Sequence, residues 1–341
     1  LPIFNNKGEI MNNLKKVGLT ALAGSLVAFS AQAVEMAVSG SAKVTYINGH
    51  STEIEGNPMG MNTSLVFSGS GEVNGYATNL TIVSADQVGG MSSAALSIDL
   101  ADMGKITFDQ GTGAGGISTI DDKTPTAAEE VWDGIDAVTG RTDALVGGGN
   151  NGVLVYANSF AGYNFTSSFS KGNRAANSDD ASSGGTGGGS WDFALTTDSL
   201  MDGLSVGAGY GKIANGAQSD VNGDDTNEHM VAFVNYTIGM VTLGYSEANI
   251  ARNNEGGTTE SASAFGIAAN LSDNLSISYG EREVEYAKAS ATHVTQDNSG
   301  IALAYTMGSA KVTVQQNESD NNGGTQGTND EQTQIALSLS F

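Results

Sequence analysis

Six carboxylates, Asp121, Asp122, Glu129, Glu130, Asp133 and Asp136, crowd one polar connection, residues 111–150, after a strand-like segment at 104–110. Acids at this density suit acid–base catalysis, divalent-cation binding or the lining of a water-filled passage. Catalysis has little else to draw on. His50, His229 and His293 are scattered over expected loops and strand ends, cysteine is absent, no serine sits in G-x-S-x-G, and Glu129 and Glu130 lack a recognisable partner acid. The run at 184–189 (GGTGGG) lacks the Lys-Ser/Thr of a phosphate loop and reads as a flexible connection. An enzyme is therefore not expected, and no cofactor is implied. The loop carboxylates have the oxygen chemistry to hold Ca²⁺. Asp220, Asn222 and Asp224 are spaced as in an EF-hand, but Gly223 and Asp225 break the glycine position and no Glu stands at the twelfth, so a generic loop is expected there.

Positioning these acids requires a scaffold, and the chain repeats one pattern. Residues 331–341 (EQTQIALSLSF) alternate strictly: Ile335, Leu337, Leu339 and Phe341 share one face, and Gln332, Gln334, Ala336, Ser338 and Ser340 share the other. Ten or eleven residues with a period of two make a strand that crosses a bilayer when tilted, touching lipid on one side and water on the other. Leu243 and Tyr245 oppose Thr242, Gly244 and Ser246 in the same way, as do Ile301, Leu303 and Tyr305 against Ala302, Ala304 and Thr306. About sixteen such segments occur. The short connections between them are 73–75, 101–104, 159–162, 200–203, 238–240, 272–274 and 307–309, and long polar ones include 172–190, 214–228, 251–260 and 319–330. Outer-membrane barrels show this asymmetry, with tight turns on the periplasmic side and long loops outside. The expected fold is an all-β, closed antiparallel transmembrane barrel, since closure removes the exposed edges of an open sheet.

Parity also places the cations. Lys43, Lys105, Arg282 and Lys311 fall on the water-facing side, because neighbours such as Val44, Ile106 and Val312 are apolar and a cation facing lipid at the midplane costs about 2–4 kcal/mol. Lys105 and Lys311 adjoin short turns, which favours the periplasmic rim over a constriction for those two. Arg141 stands at the far end of the acidic connection, where it belongs either to the basic wall or to a pair with a carboxylate such as Asp143. Residues 230–238 and 153–156 are apolar on both faces, as a strand would be against a subunit interface or an inward loop. Gly207, Gly209 and Gly211 share one parity and either leave space in the lumen or ease curvature. Tyr156, Tyr163, Phe165, Phe169, Trp191, Phe193, Tyr210, Tyr236, Tyr245, Tyr279, Tyr305 and Phe341 lie near strand ends or on apolar faces, as interfacial girdles require. Packing in a soluble sandwich is the competing explanation. No aromatic track of the kind a sugar channel needs is evident on lumen parity.

Residues 1–10 read as upstream sequence and 11–33 as a signal peptide, with Lys15 and Lys16, an apolar stretch at 17–29 and the small-residue site Ala31-Gln32-Ala33; residues 34–341 are then the barrel. Removing Lys7, Lys15, Lys16 and Glu9 from 14 basic and 37 acidic residues leaves 11 and 36, a net charge of −25 that excludes nucleic acid as a natural partner. Without cysteine, neither disulfides nor thiolate metal sites stabilise the exported chain.

The opening VEMAVSGSAKVTYI (34–47), the MGKITFDQG segment (103–111) before the acidic connection, the run GRTDALVGGGNNGVLVYANSFAGYNFTSSFS (140–170) and the terminal Phe341 together resemble the general porins of Gram-negative bacteria, particularly the alphaproteobacterial type. The resemblance spans nearly all of residues 34–341. It implies a sixteen-stranded barrel assembled as a homotrimer in outer-membrane lipid, with its third long loop, here 111–150, folded inward. It also implies loop carboxylates facing a basic wall, although this sequence has fewer arginines than the family's usual cluster. A charge pair about 10 Å apart interacts by roughly 0.4 kcal/mol at a water-like dielectric and about 1.7 kcal/mol at an effective value of 20, so graded cation preference is expected. Ions and small hydrophilic solutes would cross passively. The alternatives are a surface adhesin or S-layer-like β-protein, and a channel specific for one solute.

Overall fold

Strands that alternate apolar and polar side chains have two unlike faces, and the computed structural model resolves the conflict by rolling them into one closed sheet. It describes residues 35–49, 57–85, 91–113, 115–135, 151–170, 189–214, 226–252, 258–288 and 294–341. The expected leader, His50, Asp136, Arg141, the segment around Asp220 and His293 lie outside them. The strands are β1 (Glu35–Gly49), β2 (Met59–Val73), β3 (Tyr76–Ala85), β4 (Ser93–Asp99), β5 (Lys105–Gln110), β6 (Asn151–Phe160), β7 (Tyr163–Ser170), β8 (Ser190–Thr197), β9 (Leu204–Ala214), β10 (Thr226–Ile238), β11 (Val241–Arg252), β12 (Thr258–Asn270), β13 (Leu275–Lys288), β14 (Val294–Met307), β15 (Ala310–Asp320) and β16 (Asp330–Ser340). Each pairs antiparallel with its neighbour in sequence, and β1 closes on β16.

Closure is made by backbone groups. The register runs from Ser41 opposite Ser340 to Gly49 opposite Gln332, and beyond it Gly40 and Phe341 exchange N–H···O bonds of 2.7 and 2.9 Å. No described edge strand is left to seek a partner, as a sheet in hydrocarbon requires. The tight turns have fitting chemistry. Asn74 and Gly75 have φ of 53° and 86° between Val73 and Tyr76, the left-handed pair that a two-residue hairpin needs.

The faces divide as parity requires. Ile335, Leu337 and Leu339 are exposed on the outside of β16, whereas Ala336 and Gln332 are buried toward the lumen. Ile301, Leu303 and Tyr305 on β14 are likewise outward and Ala302 and Ala304 inward. A charge introduced on the outer face should therefore cost more than one introduced inside. Leu303→Arg should lose about 2–4 kcal/mol of barrel stability, while Thr313→Lys, on the lumen side of β15, should stay within about 0.5 kcal/mol. Denaturant unfolding of the two variants refolded into bilayers checks the difference.

Candidate functional site

The connection between β5 and β6 leaves the wall at a bulge. The β5–β6 register shifts between Asp109 and Gln110, and the Asp109 carboxylate accepts from the Thr112 and Gly113 N–H groups at 2.9 and 3.0 Å. A bulge bends its strand and ends regular pairing; here the chain turns into the barrel. Gly116, at φ 79°, donates its N–H to Thr166 Oγ1 at 2.9 Å. The Ile117 N–H donates to the buried Asp192 carboxylate on β8 at 2.8 Å, and Ser168 Oγ donates to the same carboxylate at 2.5 Å.

Beyond this anchor the loop has an apolar underside. Ile117 and Ile120 are fully buried against Ala194, Val231, Phe233 and Ile250. This accounts for the apolar inner face of β10 expected from the sequence: Val231 and Phe233 lie under the inward loop, while Met230 and Val234 face outward. Val155 on β6 likewise abuts the loop at Gly115. Phe233 and Tyr286 are aromatics of lumen parity that sequence reasoning did not pick out, and both are buried in packing.

Glycines form the floor on which the loop lies. A Cβ at Gly209 would sit 2.9 Å from Ile117 and 3.0 Å from Ile120. Farther round, Gly244, Gly266, Gly280 and Gly300 are directly paired across β11 to β14. Pro125 covers the first two and Val131 the last two. Of the two readings of the β9 glycines, the close approach of the loop gives Gly209 a definite role in leaving space; Gly207 and Gly211 instead face Phe233 and Asp192.

Side-chain amides then fix the loop backbone. Asn235 donates to the Lys123 carbonyl at 2.6 Å. Gln315 donates to the Glu129 and Glu130 carbonyls at 3.1 and 2.8 Å and accepts from the Glu129 N–H at 3.1 Å. Asn317 donates to the Glu130 and Asp133 carbonyls, Gln332 to Gly134 at 2.7 Å, and Asn322 to Ile135 at 2.6 Å. Sequence reading missed these amides, although their alternation on β15 (Gln315, Asn317) is a visible signal of polar lining.

The described part of the loop, 115–135, thus follows the inner wall from β7 to β16, and among the described residues its contact with the lumen face of β1 to β4 is the one made at Lys43. By register that face carries Ser41, Asn62, Ser64, Ser68, Thr81 and Ser97. Lys43 is its one cation among the described residues, and its Nζ meets Glu129 Oε1 at 2.8 Å. Lys311 is set across Ser338 from Lys43, both paired with it in register, and it feels the same Glu129 carboxylate. Although it adjoins a short turn, Lys311 is therefore grouped with the loop acid. Lys105 stays at the short-turn end of β5, where it lines a cavity beside the loop. Arg282 is buried with its guanidinium 4.3 Å from the centre of the Trp132 ring, a cation–π contact that braces the loop. Among the described residues, Lys43 and Lys311 are grouped at Glu129 while Lys105 and Arg282 stand apart; Arg141 lies outside the described residues.

Of the loop acids, Asp121 and Glu130 lie off the spanning strands yet are partly desolvated. Burial, with Asp122 beside it, pushes the Asp121 carboxyl up to about 6. Burial, reinforced by Asp122, Glu129 and Asp133, pushes Glu130 up to about 7. Among the described residues no three His, Asp or Glu side chains converge as a metal-ligand set.

Two substitutions test how the loop is held. Gln315→Leu removes three hydrogen bonds to the loop and should cost roughly 2–4 kcal/mol, read as a lower unfolding midpoint. Gly244→Val should drive Pro125 off the wall into the lumen and lower single-channel conductance; an unchanged conductance would show that the glycine floor does not set the opening.

No protein-family model and no curated protein matches the sequence. Solved structures do share its fold. A loop L8 deletion mutant of OmpT, an outer membrane protein of Vibrio cholerae, aligns with a TM-score of 0.67 at 15% identity over 90% of this chain and 99% of that one. In-vitro folded OmpT in its trimer form gives 0.64 at 14% over 90% and 99%. The anion-selective porin of Comamonas acidovorans gives 0.63 at 11% over 90% and 100%. The chain therefore has the sixteen-stranded, porin-like barrel fold with an inward third long loop.

Proposed function

We propose that the protein is a general diffusion porin of a Gram-negative outer membrane, passing ions and small hydrophilic solutes passively and favouring cations. The observation that carries this reading is the inward loop segment 115–135 lying along one side of a closed barrel, opposite a wall on β1 to β4 rich in hydroxyl and amide side chains. Water-filled passages select by the charges that ring them. Here the loop carries Asp121, Asp122, Glu130 and Asp133 against Lys123, while Lys43 is paired with Glu129 and Arg282 lies against Trp132. An adhesin would need no such loop inside a closed cylinder. Export through a cleaved leader and the alphaproteobacterial resemblance belong to the same reading and rest on the sequence.

Assembly as a homotrimer is part of the proposal. The aromatic contacts on the outer wall are concentrated on β6 to β9, as in Phe165 with Phe193 and Trp191 with Tyr210. The outward positions of β1 and β2 hold Met36, Val38, Met59, Met61 and Leu65 with Tyr46, a mainly aliphatic surface that suits another subunit. The trimer form of the Vibrio cholerae protein supports this reading.

Charge bias should follow pH with a definite sign. Asp121 and Glu130 are neutral below their raised values and ionised above them, so cation preference should be full at pH 8 and fall by about twofold by pH 5 as the loop field weakens. The reversal potential across a KCl gradient in a planar bilayer measures it, and anion preference at pH 8 would refute the cation assignment. Lys43→Met, which frees Glu129, should raise cation preference at pH 8.

A further inference from the structure

Beneath the first half of the inward loop lies a cavity of about 750 Å³, within the roughly 300–1,000 Å³ range of small-molecule sites. Thr119, Ile120 and Lys123 of the loop roof it; Lys105, Asn158 and Asn164 are among the residues of β5 to β10 that wall it. Its charges are of both signs but unevenly placed. Lys105 and Lys123 have no ion-pair partner among the described residues. Asp99 and Asp102 stand at the turn before β5, where the Asp99 carboxylate is committed to the Ala101 N–H at 2.8 Å. The Lys123 backbone is fixed by Asn235, so one ammonium hangs from a braced point of the loop and the other rises from the wall.

Asp121 and Asp122 adjoin Lys123 on the loop segment that roofs this chamber. We propose that the chamber is a way station for zwitterionic solutes, amino acids and short peptides, whose carboxylate is received by Lys105 and Lys123 while the ammonium end stays toward the loop carboxylates. This deepens the diffusion-porin reading and rests on it. An anion of the same size is opposed by the loop carboxylates. A cation passes the loop and meets both signs in the chamber, where Lys105 and Lys123 oppose it and Asp99 and Asp102, with Asp99 opposite Lys105 in register, attract it. A neutral solute gains from neither. Flux through a channel rises when a site is favourable enough to fill and weak enough to empty, and an exposed Lys105 with a half-buried Lys123 meets both conditions.

Liposome swelling with the whole protein tests this. The probes are glycylglycine (zwitterion), N-acetylglycinamide (neutral), N-acetylglycine (anion) and glycinamide (cation), each corrected for protein-free vesicles. Glycylglycine should enter about threefold faster than N-acetylglycinamide, the factor that one screened charge contact supplies. In a Lys105→Gln, Lys123→Gln double variant that ratio should fall to about one on the same basis. Equal entry of the two probes into wild-type vesicles overturns the inference without needing the variant, as does an undiminished ratio in a folded variant. Failure of every probe to enter overturns the diffusion-porin reading itself.

Discussion

Every backbone N–H and C=O of a sheet placed in hydrocarbon must find a partner within the sheet, and this requirement governs the whole molecule. Sixteen strands meet it by closing β1 on β16. Once the cylinder is closed, each strand has an outside and an inside that meet different solvents, and polar side chains are confined to the lumen. A cylinder of this size cannot be filled by its own wall side chains. The interior is divided instead between a loop packed on one side and water on the other.

The loop is held by devices that differ at its two ends. Near its start a buried carboxylate, Asp192, takes the Ile117 N–H, and isoleucines sink into an apolar patch. Toward its end neutral amides from β15, β16 and the 322–324 turn donate to successive carbonyls. Neutral donors suit that end because Glu129, Glu130 and Asp133 already crowd it, and a further carboxylate would be repelled. The crowding has a thermodynamic cost. Asp121 and Glu130 bind protons more tightly in the folded barrel than unfolded, where their values are 3.8 and 4.5. Their contribution to stability is present below pH 3.8–4.5 and is lost as pH rises through 6–7. The ionised state that favours cations is thus the less comfortable one for the loop, and packing on glycine and amide bonds offsets the difference.

Lys43 and Glu129 join the described part of the loop to the wall of β1. A half-exposed pair of this kind adds at most about 1 kcal/mol, so its importance lies in removing a cation and a carboxylate together from the water-filled side. Lys105 and Lys123 line the chamber together with Asp99 and Asp102, while Asp121, Asp122, Glu130 and Asp133 stand on the loop.

Alternation alone determined the barrel, the inward and outward faces and the short and long connections, because a period of two has one solution when the two faces meet different solvents. Residues 331–341 show this most plainly. The inward position of 111–135 was accessible only through family resemblance; its acids carried no signal of direction. Contacts far apart in sequence decided the rest. Arg282 reaches Trp132, Gln315 reaches Glu129, and Gly244 is aligned with Gly300 only after four strands have paired. Parity says which side of the wall a residue faces, but not what stands across the lumen from it, since that distance is set by closure and not by local sequence.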